Sequence, residues 1–190
     1  MVRVGLVGES PYDTLAIKNL LSKKYSDLSF KVLAEGVTGC QLDSPKLSRA
    51  ISVALRNEPF DVILYMRDLD GFRTQTSKIE ELNNWYNKLN EEFGGNGLFL
   101  LNIWELEALI LADIDTFNKN HKTSHQFKGD PSMQSRPKET LQRITKDSRK
   151  KYTVSRSPEI FNQLDINTVE RNCVYFRQFL KQFSKAVSVN

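Results

Sequence analysis

Four short apolar segments alternate with helical patterns along residues 1–115, and this alternation constrains the fold more than any other feature. The apolar segments predict strands at residues 2–8, 30–35, 61–67 and 98–103. Apolar residues recur at helical spacing between them, which predicts helices at residues 13–25, from about residue 44, and at 77–93. Such a chain forms an α/β fold with a mainly parallel four-stranded sheet, right-handed crossovers and flanking helices, as in Rossmann-like proteins.

The pattern changes after the fourth strand, whose nearly uninterrupted apolar residues are typical of a strand covered on both faces. Residues 116–190 are expected to form a loop and a helical extension that packs on the core formed by residues 1–115. The helical patterns that follow the fourth strand lie at residues 105–112, 137–151, 157–164 and 167–186, with a polar loop at 118–136. A chain of 190 residues can bury a sizeable core without disulfides.

The composition indicates a protein of a reducing compartment, and we expect it in the cytoplasm. Cys40 and Cys173 are far apart and lack metal-type spacing, so neither a disulfide framework nor a zinc site is expected. His121 and His125 lie in the polar loop and are expected to be exposed. No segment approaches the roughly 18 apolar residues of a membrane span, and the chain begins with a strand where a signal peptide would have a charged segment. The oligomeric state stays open.

Two aspartates follow the third strand, in the run Asp68-Leu69-Asp70-Gly71. Because a strand alternates its faces, we expect Asp68 and Asp70 to point the same way. Two like charges at a strand end repel each other, and a divalent cation would turn that repulsion into attraction. The alternative is an ordinary polar turn, in which Asp and Gly are common.

A carboxylate also ends the first strand, at Glu9, and Asp13 follows at the start of the next helix. Asp13 suits a helix cap, and it could also bind a metal. The carboxyl ends of parallel strands meet at one edge of the sheet, where ligands bind in α/β folds. If the first and third strands are neighbours, Glu9 would converge with Asp68 and Asp70. Such a cluster favours Mg²⁺ or Mn²⁺.

These acids resemble the signature of the Toprim domain, which occurs in topoisomerases, bacterial primases and the overcoming-lysogenization-defect nucleases. The first Toprim motif, Glu-Gly-x-x-Asp, is matched by Glu9 and Asp13, although Ser10 replaces its glycine. The second motif, Asp-x-Asp-Gly, is matched by residues 68–71. The resemblance implies that Glu9, Asp68 and Asp70 act in catalysis, and that they bind metal together with Asp13.

Residues 107–113, which read Glu-Ala-Leu-Ile-Leu-Ala-Asp, are similar to the Glu-Ala-Trp-Leu-Leu-Ala-Asp stretch of small Toprim-like proteins. Those proteins are often encoded beside an ABC-type ATPase in bacterial anti-phage systems. The run Pro137-Lys138-Glu139-x-Leu141 is similar to their Pro-Lys-x-x-Leu. The resemblance covers about residues 1–145. It selects Glu107 over Glu105 as a catalytic acid, leaves the role of Asp113 open, and makes Lys138 a phosphate contact.

The block from residue 121 to residue 151 is basic, and we add Arg136 in this block as a second phosphate contact. Lysine and arginine hold a nucleic-acid backbone, so the block favours DNA or RNA as a partner; a basic helix face exposed to solvent is the alternative. The aromatic residues in and beside the block are few, Phe127 and Tyr152, so base stacking has little support.

Taken together, the sequence predicts metal-dependent phosphodiester cleavage. Asp68 and Asp70 would hold one Mg²⁺, and Glu9, with Asp13 or Glu107, would hold a second ion about 4 Å away or position the attacking water. The resemblance implies an effector subunit of an anti-phage system. A non-catalytic or ATPase-gated partner subunit is the alternative. A third possibility is a flavodoxin-like phosphotransfer domain with Asp13 or Asp68 as phosphoacceptor, which the Asp-x-Asp-Gly spacing fits poorly.

Overall fold

The computed structural model describes residues 1–188 and alternates strands and helices through its first half. The strands are β1 (Arg3–Val7), β2 (Ser29–Val32), β3 (Val62–Asp68) and β4 (Gly97–Asn102). The helices are α1 (Pro11–Leu21), α2 (Pro45–Asn57), α3 (Thr76–Glu92), α4 (Ala108–Ala112), α5 (Ile114–His121), α6 (Pro137–Ile144), α7 (Ser157–Phe161), α8 (Ile166–Asn172) and α9 (Val174–Ser188). Short 3₁₀ turns lie at Gly39–Asp43, Pro131–Met133 and Val154–Arg156.

The sheet is parallel throughout, in the order β2-β1-β3-β4, which confirms the predicted α/β fold with a four-stranded parallel sheet flanked by helices. The chain leaves β1 toward β2 on one side and then returns to place β3 on the other side of β1. The loops that follow β1 and β3 therefore diverge to opposite faces and leave a crevice between them. This change of direction is the place where ligands bind in open α/β sheets.

A separate hydrophobic core lies on each face of the sheet, because successive strand residues point to opposite faces. Leu64 and Met66 of β3 join the core that contains α1 and α9. Ile63 and Tyr65 join the other core, with α2 and α3. The result is three layers, with helices on both faces of the sheet.

The C-terminal helix α9 shares the first core with β1, β2 and α1. Phe183 is fully buried, and its ring lies 5.0 Å from that of Tyr25 and 6.5 Å from that of Phe30. Strand β4 is an edge strand, and only Leu100 and Asn102 in it are fully buried. Within residues 1–188, no helix is both long enough and apolar enough to cross a bilayer.

The second half of the chain differs from the sequence-based expectations in three places. The predicted loop at residues 118–136 contains the end of α5, since Phe117 and His121 of that helix are buried. The predicted basic helix at 137–151 ends at Ile144, where the Thr145 hydroxyl binds the Leu141 carbonyl and receives the Tyr152 N–H. The predicted final helix at 167–186 is two helices, because buried Cys173 between them has an extended backbone.

Candidate metal centre

Glu9 and Asp13 reach the crevice because β1 and α1 meet in a tight turn. Ser10 caps α1 by accepting a hydrogen bond from the Asp13 N–H at 3.2 Å. A Cβ on Gly8 would lie 2.9 Å from Thr14 Cγ2 and 3.2 Å from Met66 Cε, so only glycine permits this packing. The start of α1 is therefore held against β3, on which Asp68 is the last residue.

Arg67 fixes the position of the Glu9 carboxylate. Its Nε donates to Glu9 Oε1 at 2.9 Å, its Nη1 donates to Asp43 Oδ1 at 2.9 Å, and its guanidinium lies 4.8 Å from the centre of the Trp85 ring. The backbone N–H of Asp68 donates to the same Glu9 oxygen at 3.1 Å. One oxygen of Glu9 is thus committed to β3, and within residues 1–188 the other makes no hydrogen bond.

Asp68 lies at the centre of the acidic group. Its Oδ1 accepts a hydrogen bond from Asn102 Nδ2 at 2.9 Å, across the register that pairs the ends of β3 and β4. Burial, followed by the negative charges of Asp13 and Glu9, raises the pKa of Asp68 well above its ordinary value. Asn102 is 2% exposed, and its side-chain oxygen Oδ1 has no hydrogen-bond partner in the described part of the chain.

Asp13 and Glu107 complete the acidic group. Burial, with the charges of Glu107 and Glu9, raises the pKa of Asp13 to about 6. Glu107 is 6% exposed, and burial raises its pKa although the Tyr152 hydroxyl donates to its Oε1 at 2.6 Å. Glu9, Asp13, Asp68 and Glu107 are referred to below as the carboxylate cluster. Burial is the main cause of the raised pKa values of Asp13, Asp68 and Glu107, and the charges of neighbouring acids add to it.

Lys138 brings a positive charge to the carboxylate cluster from the first turn of α6. Its Nζ donates to Glu105 Oε1 at 2.9 Å, and its backbone N–H donates to Glu105 Oε2 at 3.1 Å. Burial opposes the charged form, yet the bond to Glu105 and the charge of Glu107 raise the pKa of Lys138. Glu105 is 8% exposed, so it is a buried partner of Lys138 and not a solvated side chain.

Asp70 lies outside the carboxylate cluster, and the expectation that it points the same way as Asp68 is wrong. Strand β3 ends at Asp68, and Asp70 has a left-handed backbone with φ of 49°. Its N–H donates to the Trp104 carbonyl at 2.8 Å, which fixes the turn. The Asp70 side chain is 64% exposed and forms a 3.3 Å ion pair with Lys78. Asp70 therefore lies in an ordinary polar turn, which is the alternative that the sequence left open.

A family model described as Domain of unknown function (DUF4276) matches residues 11–184. The chain belongs to the DUF4276 family. The matched span includes Asp13, Asp68, Glu107 and Lys138, whereas Glu9 precedes it. No curated protein and no solved structure matches the chain.

The remaining sequence-predicted residues of this DUF4276 protein lie away from the carboxylate cluster. Arg136 is exposed, and within residues 1–188 it forms no ion pair. Asp113 caps α5, accepting from the Thr116 N–H at 3.4 Å, and its second oxygen accepts from the Asp165 N–H at 2.8 Å. His121 is 1% exposed, which corrects the expectation that it is solvated, whereas His125 is half-buried.

Three residues that hold the carboxylate cluster together were missed by the sequence analysis: Arg67, Asn102 and Tyr152. Asn102 ends β4 just as Asp68 ends β3, so the reasoning about strand ends could have found it. Arg67 and Tyr152 carry no local signal, because each acts through partners that are distant in the chain. Tyr152 is buried, so it cannot stack on a base.

The atoms of the carboxylate cluster that could bind a metal are all oxygens, which hard cations such as Mg²⁺ and Mn²⁺ prefer as ligands. Within residues 1–188, no three His, Cys, Asp or Glu side chains are arranged as a ready set of ligands. The fit to a cation rests on charge. The four carboxylates lie beside two cations that are both paired already: Arg67 with Glu9 and Asp43, and Lys138 with Glu105. Burial and, second to it, repulsion between the acids raise the pKa values of Asp68 and Asp13, and a divalent cation would favour the ionised form of both.

Proposed function

We propose that this DUF4276 protein is a metal-dependent phosphodiesterase that cleaves DNA or RNA. The observation that supports the proposal is the carboxylate cluster beside Lys138, at the point where the strand order reverses. The motif resemblance adds that the protein works in the bacterial cytoplasm as the effector subunit of an anti-phage system, with an ABC-type ATPase as partner.

In this proposal, Asp68, Asp13 and Glu107 hold Mg²⁺ or Mn²⁺ in the crevice. A cation bound there would polarise a phosphoryl oxygen of the substrate and lower the pKa of a bound water. The Glu9 oxygen that makes no hydrogen bond is assigned to the water, since Arg67 already fixes the other one. Asp70 has no assigned contact with metal, because its ion pair with Lys78 points it to solvent.

In the same proposal, Lys138 contacts the scissile phosphate of the substrate. Its ammonium group stays charged at neutral pH, since the neighbouring carboxylates raise its pKa. A fixed cation beside the scissile phosphate stabilises the negative charge that grows on the phosphoryl oxygens in the transition state. Glu105 holds this ammonium group through a 2.9 Å hydrogen bond, so Lys138 is already positioned before substrate binds.

A cleavage assay tests the proposal directly. Purified protein is incubated with plasmid DNA, single-stranded DNA and tRNA in Mg²⁺, in Mn²⁺ and in EDTA, and the assay compares wild type with Asp68→Asn. We expect cleavage of at least one substrate that requires metal and is lost in the variant. Circular dichroism confirms that the variant is folded, and Asp70→Asn serves as a matched control for the loss of one carboxylate.

The ATPase part of the proposal needs a second arm. If wild type alone is inactive, the assay is repeated with ATP and an ABC-type ATPase encoded beside the gene. Cleavage only in the presence of the ATPase would identify a gated subunit. A folded chain that cleaves nothing in either arm would refute the phosphodiesterase proposal and favour the non-catalytic alternative.

A further inference from the structure

Positive charge is concentrated in one part of the chain, outside the carboxylate cluster. Residues 119–151 contain ten lysine and arginine side chains and three acidic ones, a net charge of +7 in a chain whose total is +4. The rest of the chain is therefore net negative. Such a separation of charge indicates a surface built for an anionic partner.

Two adjoining cavities of about 670 and 460 Å³ lie on this basic part of the surface. Lys122, Asp147 and Ser148 line both cavities, and Lys119, Arg149 and Lys150 line the larger one. The name basic groove is used below for the concave surface formed by Lys119, Lys122, Arg149 and Lys150. All four side chains are exposed, and none of them forms an ion pair with another residue among 1–188.

Buried contacts hold the basic groove in shape. His121, at the end of α5, stacks on Phe117 at 4.2 Å between ring centres and donates from Nδ1 to the Lys150 carbonyl at 2.6 Å. The Ser148 hydroxyl donates to the His121 carbonyl in return. Lys122 follows α5 in the left-handed conformation, with φ of 58°. The backbone on both sides of the larger cavity is thus fixed before any ligand binds.

The basic groove is joined to the carboxylate cluster through one buried residue, Tyr152. Tyr152, two residues after Lys150, donates its backbone N–H to the Thr145 hydroxyl at 2.8 Å. The Tyr152 hydroxyl donates to Glu107 of the carboxylate cluster. A ligand that lies along the basic groove is therefore positioned relative to the acidic centre through one ordered connection.

We infer that the basic groove binds the sugar-phosphate backbone of the polynucleotide that the carboxylate cluster cleaves. Four exposed lysine and arginine side chains along the larger cavity, with Lys122 shared by the adjoining one, match a polymer of regularly spaced phosphates better than a single anion. Tyr152 is buried and unavailable for stacking, and the side chains of the basic groove are cations, so the inferred contact is with the phosphates. The inference rests on the proposed function for the identity of the ligand, and it names a surface that holds substrate away from the cleavage site.

Binding measured in EDTA tests the inference separately from cleavage. Fluorescence anisotropy follows labelled single-stranded DNA, duplex DNA and an RNA hairpin at several salt concentrations. The test variant combines Lys119→Gln, Lys122→Gln, Arg149→Gln and Lys150→Gln. The control variant removes the same charge from exposed side chains on α2 and α3, by Lys46→Gln, Arg49→Gln, Arg56→Gln and Lys88→Gln. Asp68→Asn is included to separate binding from catalysis.

We expect the test variant to bind at least about tenfold more weakly and the salt dependence of log Kd to fall by about 3, as the loss of four phosphate contacts predicts. The control variant should bind within about twofold of wild type, and Asp68→Asn, which removes a negative charge, should bind no more weakly than wild type. Equal weakening of the test and control variants would overturn the inference, as would wild-type binding to polyglutamate of the same length as tight as to nucleic acid. A failed cleavage assay combined with these binding results would refute the proposed catalysis and keep the basic groove.

Discussion

Asp68 and Asp70 are two residues apart in the chain and lie in opposite environments. Asp68 is the last residue of a strand and receives the Asn102 amide, whereas Asp70 sits in a left-handed turn and pairs with Lys78 at the surface. Sequence spacing treats the two acids as equivalent, and the backbone angle at Asp70 separates them. The backbone conformation of individual residues therefore determines which acids belong to the candidate site.

The first prediction compares these two aspartates. Asp68→Asn should lower metal-dependent cleavage by more than about 100-fold, because it removes a central ligand. Asp70→Asn should stay within about threefold of wild type, since its carboxylate is 64% exposed and pairs with Lys78 at the surface. The measurement is the cleavage rate at saturating Mg²⁺. Equal losses in the two variants would contradict the geometry of the carboxylate cluster.

The second prediction concerns the hydrogen bond from Tyr152 to Glu107. Tyr152→Phe removes a buried donor that lies 2.6 Å from Glu107 Oε1 and 2.9 Å from the Ser157 hydroxyl. We expect the free energy of unfolding to fall by about 1–3 kcal/mol, because Glu107 loses its partner. Urea unfolding measures the loss, and the exposed Tyr12→Phe, which should change stability by less than about 0.5 kcal/mol, is the control.

At the scale of elements, the strands and the position of the site could be predicted from the sequence. Each strand is a short segment, β3 and β4 end in the polar residues Asp68 and Asn102, and the alternation of strands with helices favours a parallel sheet. Alternation alone does not give the order of the strands, so the sequence predicts the meeting of Glu9 with Asp68 only on the condition that β1 and β3 are neighbours. The sheet order meets that condition.

The second half of the chain could not be predicted as well, because distant contacts decide it. Helix α6 ends before Thr145, because the Thr145 hydroxyl accepts a hydrogen bond from the backbone N–H of Tyr152, seven residues further along the chain. His121 is buried because its ring stacks on Phe117 and its Nδ1 donates to the Lys150 carbonyl. Neither partner leaves a periodic signal in the sequence, so a polar loop and a longer helix were predicted there.

The third prediction is that the free energy of unfolding depends on pH through His121, which connects α5 to the backbone of the basic groove. Burial lowers the pKa of His121. The unfolded chain then binds a proton more readily than the folded one, so the stabilising contribution is complete above about pH 6.5 and is lost as pH falls below that value.

Guanidinium unfolding from pH 7.5 to pH 5 tests the third prediction. The stability of wild type should fall relative to His121→Gln as the pH decreases, and the difference should be constant above pH 7. His125→Gln, which changes a half-buried histidine, is the matched control. A parallel pH dependence of wild type and His121→Gln would contradict the prediction.

At the scale of the whole molecule, residues 116–188 and residues 1–115 share one hydrophobic core. The fourth prediction follows from Phe183 of α9, which is fully buried against Phe30 and Tyr25. Phe183→Ala should lower the free energy of unfolding by about 3–5 kcal/mol, with a single unfolding transition for the whole chain. Val53→Ala on α2, where the side chain is 55% exposed, should change it by less than about 0.5 kcal/mol.

The carboxylate cluster also lowers the stability of the whole molecule at neutral pH, because burial and the repulsion between its acids oppose their ionisation in the folded state. Burial and the neighbouring acids raise the pKa of Asp68, so its ionised form destabilises the folded state at neutral pH. Asp68→Asn should therefore melt at a higher temperature than wild type in EDTA. A ligand that binds only the folded state stabilises it by about 2.7 kcal/mol at 100 times its Kd.

The fifth prediction is that Mg²⁺ or Mn²⁺ raises the melting temperature of wild type by about 5–10 °C at that concentration, the shift that this free energy gives in a protein of this size. Asp68→Asn should gain less than about 2 °C, since it has lost both the repulsion and the ligand, whereas Asp70→Asn should respond as wild type does. NaCl at matched ionic strength is the control for screening of surface charges. Equal shifts in wild type and Asp68→Asn would place the cation elsewhere in the protein. No shift in wild type at 10 mM of either metal would remove the basis for metal-dependent cleavage.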